Sequence, residues 1–283
     1  MGTGQKRGGS MSDVQPDSAK TDMGSAGGAE AGTVKKEDDR TPIAGILFDK
    51  DGTLLDYARS WVPVNYRIAR LAARDDPALA DRLLKACGMD PESGHVLPDS
   101  LLAAGSTREI AEGMVKAGAP FAVEALTAEF DGLFEEAAAA AVPVTELAPF
   151  FALLKAQGYR LGVASSDNEA SIRETARRFG FAGDLDFVAG YDSGYGIKPE
   201  PGMVLAFCAA TGLKPESVAV VGDNNHDLHM GRAAGVGLTV AVLTGTGSPA
   251  SLAAASDHCL VDITALPGLL ERLGLGVGAD TAQ

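Results

Sequence analysis

Large hydrophobic positions enter this chain abruptly. Residues 1–40 hold no Leu, Ile, Phe, Tyr or Trp and consist mostly of Gly, Ser, Ala, Asp and Lys. Such a stretch buries too little apolar surface to offset the entropy of ordering it. A disordered N-terminal tail over 1–41 is therefore expected. After it, short continuous apolar runs recur at 43–48, 160–164, 186–189, 218–222 and 238–243, with a last one at 258–261. Runs of this length read as strands buried on both faces. Helical spacing separates them: 146–157, closed by Gly158; 169–179, closed by Gly180; 201–211, opened by Pro201 and closed by Gly212; and 266–273. Proline at a first helical turn and glycine just past the last one are ordinary start and stop signals. The alternation predicts an α/β fold, a Rossmann-like doubly wound parallel sheet.

One region breaks the rhythm. From 57 to 142 no strand pattern occurs, and the chain is rich in Ala, Leu, Arg and Glu at helical spacing. Helices are expected at 61–74, 77–86, 107–116 and 123–140. The organisation that follows is a core of 42–56 plus 143–276, interrupted after its first strand by a helical domain over 57–142. A short tail, 277–283, follows.

Charge and cysteine content narrow the partners. The 24 Lys+Arg against 38 Asp+Glu leave a net charge of −14, of which the first 40 residues, with 6 basic and 7 acidic, carry almost none. An acidic folded part argues against a basic surface for nucleic acid and against docking on anionic lipid. No apolar run approaches the length of a membrane span, and no signal-peptide core stands near the start. Cys87, Cys208 and Cys259 are odd in number and widely spaced, without C-x-x-C. A disulfide framework is not expected, and a cytoplasmic location fits. Oligomeric state leaves no trace in the sequence.

The chemistry gathers at strand ends, where parallel α/β sheets bind ligands. The first strand ends in Asp49-Lys50-Asp51-Gly52-Thr53 and the second in Ser165-Ser166-Asp167. The loop after the third carries Gly196-Ile197-Lys198-Pro199, and the fourth ends in Gly222-Asp223-Asn224-Asn225-His226-Asp227. Asp49 and Asp51, two apart in extended chain, project to the same side, while Lys50 faces the other way and is read as structural. Two such carboxylates can divide the work of nucleophile and proton donor. Several acids at one edge repel one another unless a divalent cation lies between them, and hard oxygen ligands suit Mg2+. His226 and His229 offer no comparable zinc site, since no thiolate accompanies them. Gly245-Thr246-Gly247 reads as a plain loop. Arg59, Trp61, Asn65 and Arg108 are the side chains of the helical region with the chemistry to meet a substrate.

In this order the motifs resemble those of the haloacid dehalogenase-like phosphohydrolase superfamily, in its members with a helical cap after the first motif. The F-D-K-D-G-T-L-L-D and G-I-K-P-E-P stretches are most similar to phosphoglycolate phosphatase-type members. The resemblance implies roles. Asp49 would attack phosphorus and Asp51 would serve as general acid and then base. Ser165, with backbone N–H groups near Ser166, would hold phosphoryl oxygens, and Lys198 would neutralise charge. Mg2+ would sit on the Asp49 carboxylate, the Asp51 backbone carbonyl and the Asp223 carboxylate, with Asp227 and Thr53 close behind. The expected activity is an Mg2+-dependent phosphomonoesterase acting on a small phosphorylated metabolite, 2-phosphoglycolate first among them.

Other readings share parts of the pattern. A sugar phosphomutase of the β-phosphoglucomutase type uses the same core. A dehalogenase needs no acid at the Asp51 position, and a phosphonate hydrolase needs a cap lysine in a motif that neither Lys85 nor Lys116 occupies. A phospho-aspartate receiver module lacks both the Asp51 acid and the large helical insert.

Overall fold

The computed structural model describes residues 41–98 and 100–276. The expected tails at 1–40 and 277–283 lie outside the described residues. Six strands form one parallel sheet: β1 (Gly45–Phe48), β2 (Arg160–Ala164), β3 (Phe187–Ala189), β4 (Val218–Gly222), β5 (Leu238–Val242) and β6 (His258–Leu260). Their spatial order is β3-β2-β1-β4-β5-β6, so β1 lies between β2 and β4. The crossovers run one way from β1 to β3 and the other way from β4 to β6. The switch point therefore falls between β1 and β4, where ligands collect in this topology.

Alternation along β1 shows how both faces are filled. Ile46 and Phe48 enter a cluster with Phe151, Leu161 and Val221. Leu47 enters a separate cluster with Phe207, Met203 and Val220. Each face is covered by helices: α7 (Leu147–Ala156) and α12 (Leu266–Arg272) contribute to the first cluster, α9 (Gly202–Thr211) and α10 (Asn225–Ala234) to the second. The helix α8 (Glu169–Arg178) follows β2, and α11 (Pro249–Ala255) precedes β6.

Between β1 and β2 the chain forms α1 (Tyr57–Ser60), α2 (Val62–Ala72), α3 (Pro77–Ala86), α4 (Leu101–Ala104), α5 (Thr107–Lys116) and α6 (Val123–Ala140) before α7. These six helices close a hydrophobic cluster of their own, with Ile68, Leu83, Met114, Leu126 and Phe130 at its centre. Local signals set their ends. Asp76 caps α3 through the N–H groups of Ala78 and Leu79, and Ser106 with Glu109 forms a capping box at α5. Two adjacent segments connect the helices to the sheet: Asp56 N–H donates to Val142 O, and Val144 N–H to Leu54 O, at 2.9 and 3.0 Å.

Candidate active site

The first strand delivers Asp49 by continuing its ladder one residue further. Asp49 N–H donates to Val221 O at 2.9 Å, which brings Asp49 beside the end of β4. The chain then turns sharply: Leu54 and Leu55 N–H groups both fold back onto Lys50 O, and Gly52 adopts φ +87°. Glycine is required at 52 on two counts. A side chain there is strained at that φ, and a Cβ would lie 2.5 Å from Asp223 Cγ.

At the switch point Asp49, Asp223 and Asp227 offer carboxylate oxygens within 4.8 Å of one another, all three buried. Lys198 enters from the loop after β3. Its Nζ lies 2.6 Å from Asp49 Oδ1 and 2.6 Å from Asp227 Oδ1, with the lysine side chain 3% exposed. Asp227 uses its other oxygen to accept Asn224 N–H at 3.1 Å, closing a capping box at the start of α10. Asp223 Oδ2 accepts Thr246 N–H at 2.9 Å, and Thr53 makes a long contact of 3.5 Å to Asp223 Oδ1. The Gly245-Thr246-Gly247 segment, a plain loop on sequence grounds, thus packs directly on the Asp223 carboxylate. A Cβ at 245 would fall 1.8 Å from Asp223 Oδ2.

Asp51 lies beside this cluster in a second set of charges. Lys50 Nζ approaches Asp51 Oδ2 at 2.8 Å and Asp167 Oδ2 at 3.0 Å. Trp61 Nε1–H donates to Asp51 Oδ1 at 3.1 Å, and the Lys50 ammonium is 5.8 Å from the centroid of the same indole. Lys50, expected to face away from the aspartates of its own turn, instead pairs with Asp51 and, across the strand ends, with Asp167. Asp167 in turn receives Ser171 Oγ at 2.5 Å and Asn168 N–H at 2.7 Å, and its own N–H donates to Ser165 Oγ at 3.1 Å. Ser165 is buried and Ser166 exposed.

Electrostatics follow from this crowding. Burial lifts the Asp49 carboxyl above its usual range, although Lys198 pulls it down. Asp223 is lifted furthest, by burial and then by the charges of Asp49 and Asp227. Asp51 is raised too, because loss of water outweighs the pull of Lys50. Lys198 stays charged despite its burial, held by Asp227 and Asp49. Three carboxylates against one ammonium leave an excess of negative charge in a dehydrated space. Oxygen donors of this kind fit a hard divalent cation such as Mg2+.

The other sequence candidates are dispersed. Arg59 and His229 are exposed, Arg108 is engaged by Glu112 and Glu124 on the surface, and Asn65 is buried within the inserted helices. Asp167, Thr246 and the bond from Trp61 to Asp51 were not singled out by sequence. Asp167 stands at a strand end in the sequence but is given no role there; the other two depend on contacts that spacing does not encode.

Comparison with known proteins agrees with this geometry. The family model of the haloacid dehalogenase-like hydrolases matches residues 43–235. A phosphoglycolate phosphatase of Aquifex aeolicus is 28% identical over 200 residues, covering 70% of this chain and 84% of that protein. The tyrosine-protein kinase PtkA of Mycobacterium tuberculosis is 29% identical over 241 residues, covering 81% of this chain and 72% of that one. Among solved structures, a predicted phosphoglycolate phosphatase from Haemophilus somnus shares the fold with a TM-score of 0.62 at 20% identity, over 80% of this chain and 97% of its own. The chain belongs to the haloacid dehalogenase-like hydrolase family, as an enzyme of the phosphatase type.

Proposed function

We propose that the protein is an Mg2+-dependent phosphomonoesterase that works through an aspartyl-phosphate on a small phosphorylated metabolite. The observation that carries this reading is Lys198 bridging Asp49 and Asp227 at 2.6 Å each, beside Asp223, at the carboxyl ends of β1 and β4. An anionic nucleophile meets an anionic phosphate only where positive charge stands between them. Lys198 supplies one such charge. Asp49 and Asp223, with the Asp51 backbone carbonyl, would hold Mg2+, which neutralises the phosphoryl oxygens when bound.

In the first step an Asp49 carboxylate oxygen attacks phosphorus. The bond from phosphorus to the ester oxygen breaks, its electron pair stays on that oxygen, and Asp51 gives it a proton. Asp51 then takes a proton from the water that hydrolyses the aspartyl-phosphate. Ser165 and the N–H groups near Ser166 hold non-bridging oxygens, and Thr53 and Asp227 orient Asp223 and Lys198. The helices of 57–142 act as a cap over the site, and the widely spaced, odd-numbered cysteines fit work in the cytoplasm. No helix among the described residues is long and apolar enough to cross a membrane. By likeness to the Aquifex aeolicus relative, 2-phosphoglycolate is the leading substrate.

The test is phosphate release from a panel of phosphorylated metabolites with Mg2+, for the wild type and Asp49→Asn. Free phosphate from one small ester, lost in the variant and after chelation with EDTA, supports the proposal. An isomeric sugar phosphate without free phosphate would point to the phosphomutase instead. The Mycobacterium tuberculosis relative favours a second reading, transfer from a nucleotide to protein tyrosine. Labelled phosphotyrosine formed from ATP, with no phosphate released from any ester, would establish that one.

A further inference from the structure

Lys50 is among the largest fully buried side chains of the protein, at 1% exposure, and it carries a charge. Nothing in a tight turn between two aspartates calls for a buried ammonium, which loses its hydration there. Its surroundings show what it does. It stands between Asp51 Oδ2 and Asp167 Oδ2, at 2.8 and 3.0 Å, while Trp61 Nε1–H reaches the other oxygen of Asp51 at 3.1 Å. Donors on two different oxygens fix the plane of the Asp51 carboxyl, because rotation about its Cβ–Cγ bond would break one of them. Asp51 itself is part exposed, its side chain at 27%, so packing alone does not immobilise it.

We propose that Lys50, Asp167 and Trp61 form a positioning set that aims the Asp51 carboxyl at the leaving oxygen of the substrate. This rests on the reading of Asp51 as the acid. A proton donor acts only within hydrogen-bond reach and in the right orientation. Asp167 completes the arrangement from the other side. It is pinned by Ser171 and Asn168, and through its N–H it meets Ser165. The acid from β1 and the phosphate-binding serine from β2 are thus held in one frame by a single ammonium. Trp61 brings in the inserted helices: it links α1 to α2, and its ring lies 6.3 Å from that of Phe134 in α6. None of the three positioning residues is required to touch the substrate.

The step they serve gives a readout that general damage does not. The proton from Asp51 travels to the ester oxygen as its bond to phosphorus breaks, so it matters for a poor leaving group and hardly at all for a good one. We compare kcat/KM for 2-phosphoglycolate, or the best alkyl phosphate of the panel, with that for 2,4-dinitrophenyl phosphate, whose phenolate departs unprotonated. The ratio kcat/KM ends at leaving-group departure, so later hydrolysis of the aspartyl-phosphate does not enter it. Trp61→Phe keeps a smaller aromatic ring and removes the donor, and Lys50→Met keeps most of the length of the side chain and removes the charge.

Each variant is expected to lose about tenfold or more on the alkyl ester, part of the roughly 10²- to 10⁴-fold that a general acid contributes, and less than about twofold on the dinitrophenyl ester. Should Lys50→Met fail to fold, Trp61→Phe and Asp167→Asn decide the matter. Equal losses on both esters, or none on either, overturn the positioning role. Asp51→Asn in the same assays separates the two layers of the argument. A selective loss there with unselective variants of the set overturns the positioning alone. An unselective loss in Asp51→Asn overturns the acid itself.

Discussion

Lys198 and Asp227 form a buried ion pair of 2.6 Å in which each side chain is 3% exposed. The two come from different elements, the loop after β3 and the first turn of α10. Asp227 holds the lysine with one oxygen and the start of its own helix with the other. It therefore aims the Lys198 ammonium at Asp49. Removing one partner of a buried pair leaves the other charge uncompensated, at a cost of about 3 kcal/mol or more. Asp227→Ala is expected to lose on the order of 3 kcal/mol in urea unfolding. Asp227→Asn, which keeps an acceptor for Asn224 N–H, should lose less stability but still lower kcat about tenfold or more. Unchanged turnover in Asp227→Asn would separate the pair from catalysis.

Gly245 approaches Asp223 so closely that substitution there acts on the carboxylate. An added Cβ would lie 1.8 Å from Oδ2 and 2.1 Å from Cγ. Gly245→Ala must displace Asp223 or the loop that donates Thr246 N–H to it. Overpacking of this kind costs about 1–3 kcal/mol. If Asp223 holds Mg2+ as proposed, the specific mark is a shift of the Mg2+ concentration for half-maximal activity, upward by about tenfold or more. Gly183→Ala, which meets nothing within 4 Å, is the control and should leave the Mg2+ requirement unchanged.

How much of this could be read from sequence depends on distance along the chain. The strands β2 and β4 match their apolar runs from end to end, because a continuous apolar stretch between polar loops has few alternatives. The helices α3, α5 and α6 likewise match, the first two with caps standing next to them. The first strand is shorter than its run: Ile43 and Ala44 N–H groups bond to Leu275 O and Ser217 O instead of to neighbouring strands. The one-turn α4 and the short, alanine-rich α11, where Leu252 is the buried residue, carry too little periodicity to be seen. In the site, the residue types at strand ends were legible, since topology alone converges them. The pairings were not. Lys50 with Asp167, Lys198 with Asp227 and Thr246 with Asp223 join segments far apart in sequence, and spacing holds no record of them.

Mg2+ should bind with release of protons. The carboxyls of Asp49 and Asp223 stand above the ordinary carboxylate range, burial being the first cause for each. A carboxyl raised by folding contributes stability that is full below its unfolded value and is lost as pH climbs through the folded one. These two groups therefore weaken the metal-free protein as pH rises above about 4, the ordinary carboxylate value. A cation that takes their oxygens competes for them with protons, which the raised carboxyls bind more readily than an ordinary carboxylate does. Calorimetric titration of EDTA-treated protein with MgCl2, in two buffers of different ionisation enthalpy, should give apparent enthalpies that differ. The rise in Tm on adding Mg2+ should be larger at pH 7.5 than at pH 5, and absent in Asp223→Ala. Equal enthalpies and an equal rise at both pH values would contradict this reading.

Asp186 makes the opposite case, far from any reaction. It precedes β3 and collects three donors: Lys155 Nζ at 2.8 Å and Leu161 N–H at 2.8 Å on Oδ2, and Arg160 Nη1 at 3.0 Å on Oδ1. Burial alone would raise its carboxyl, but the two cations and the amide together outweigh it and hold the group below its ordinary value. A carboxyl depressed by folding contributes stability that is present above its unfolded value and is lost as pH falls through the folded one. The side chain is 18% exposed, so solvent screens the pairs only in part. Asp186→Asn should therefore cost about 1.5–3 kcal/mol at pH 7, the range for hydrogen bonds to charged groups. The gap between variant and wild type should narrow as pH drops below about 4, where the carboxyl of the unfolded chain takes up protons before that of the folded one. Urea unfolding across pH 7 to 3.5 reads that difference directly. A gap that stays constant over the range would mean that the charge on Asp186 adds nothing, and that its oxygens serve only as neutral acceptors joining β2 to β3.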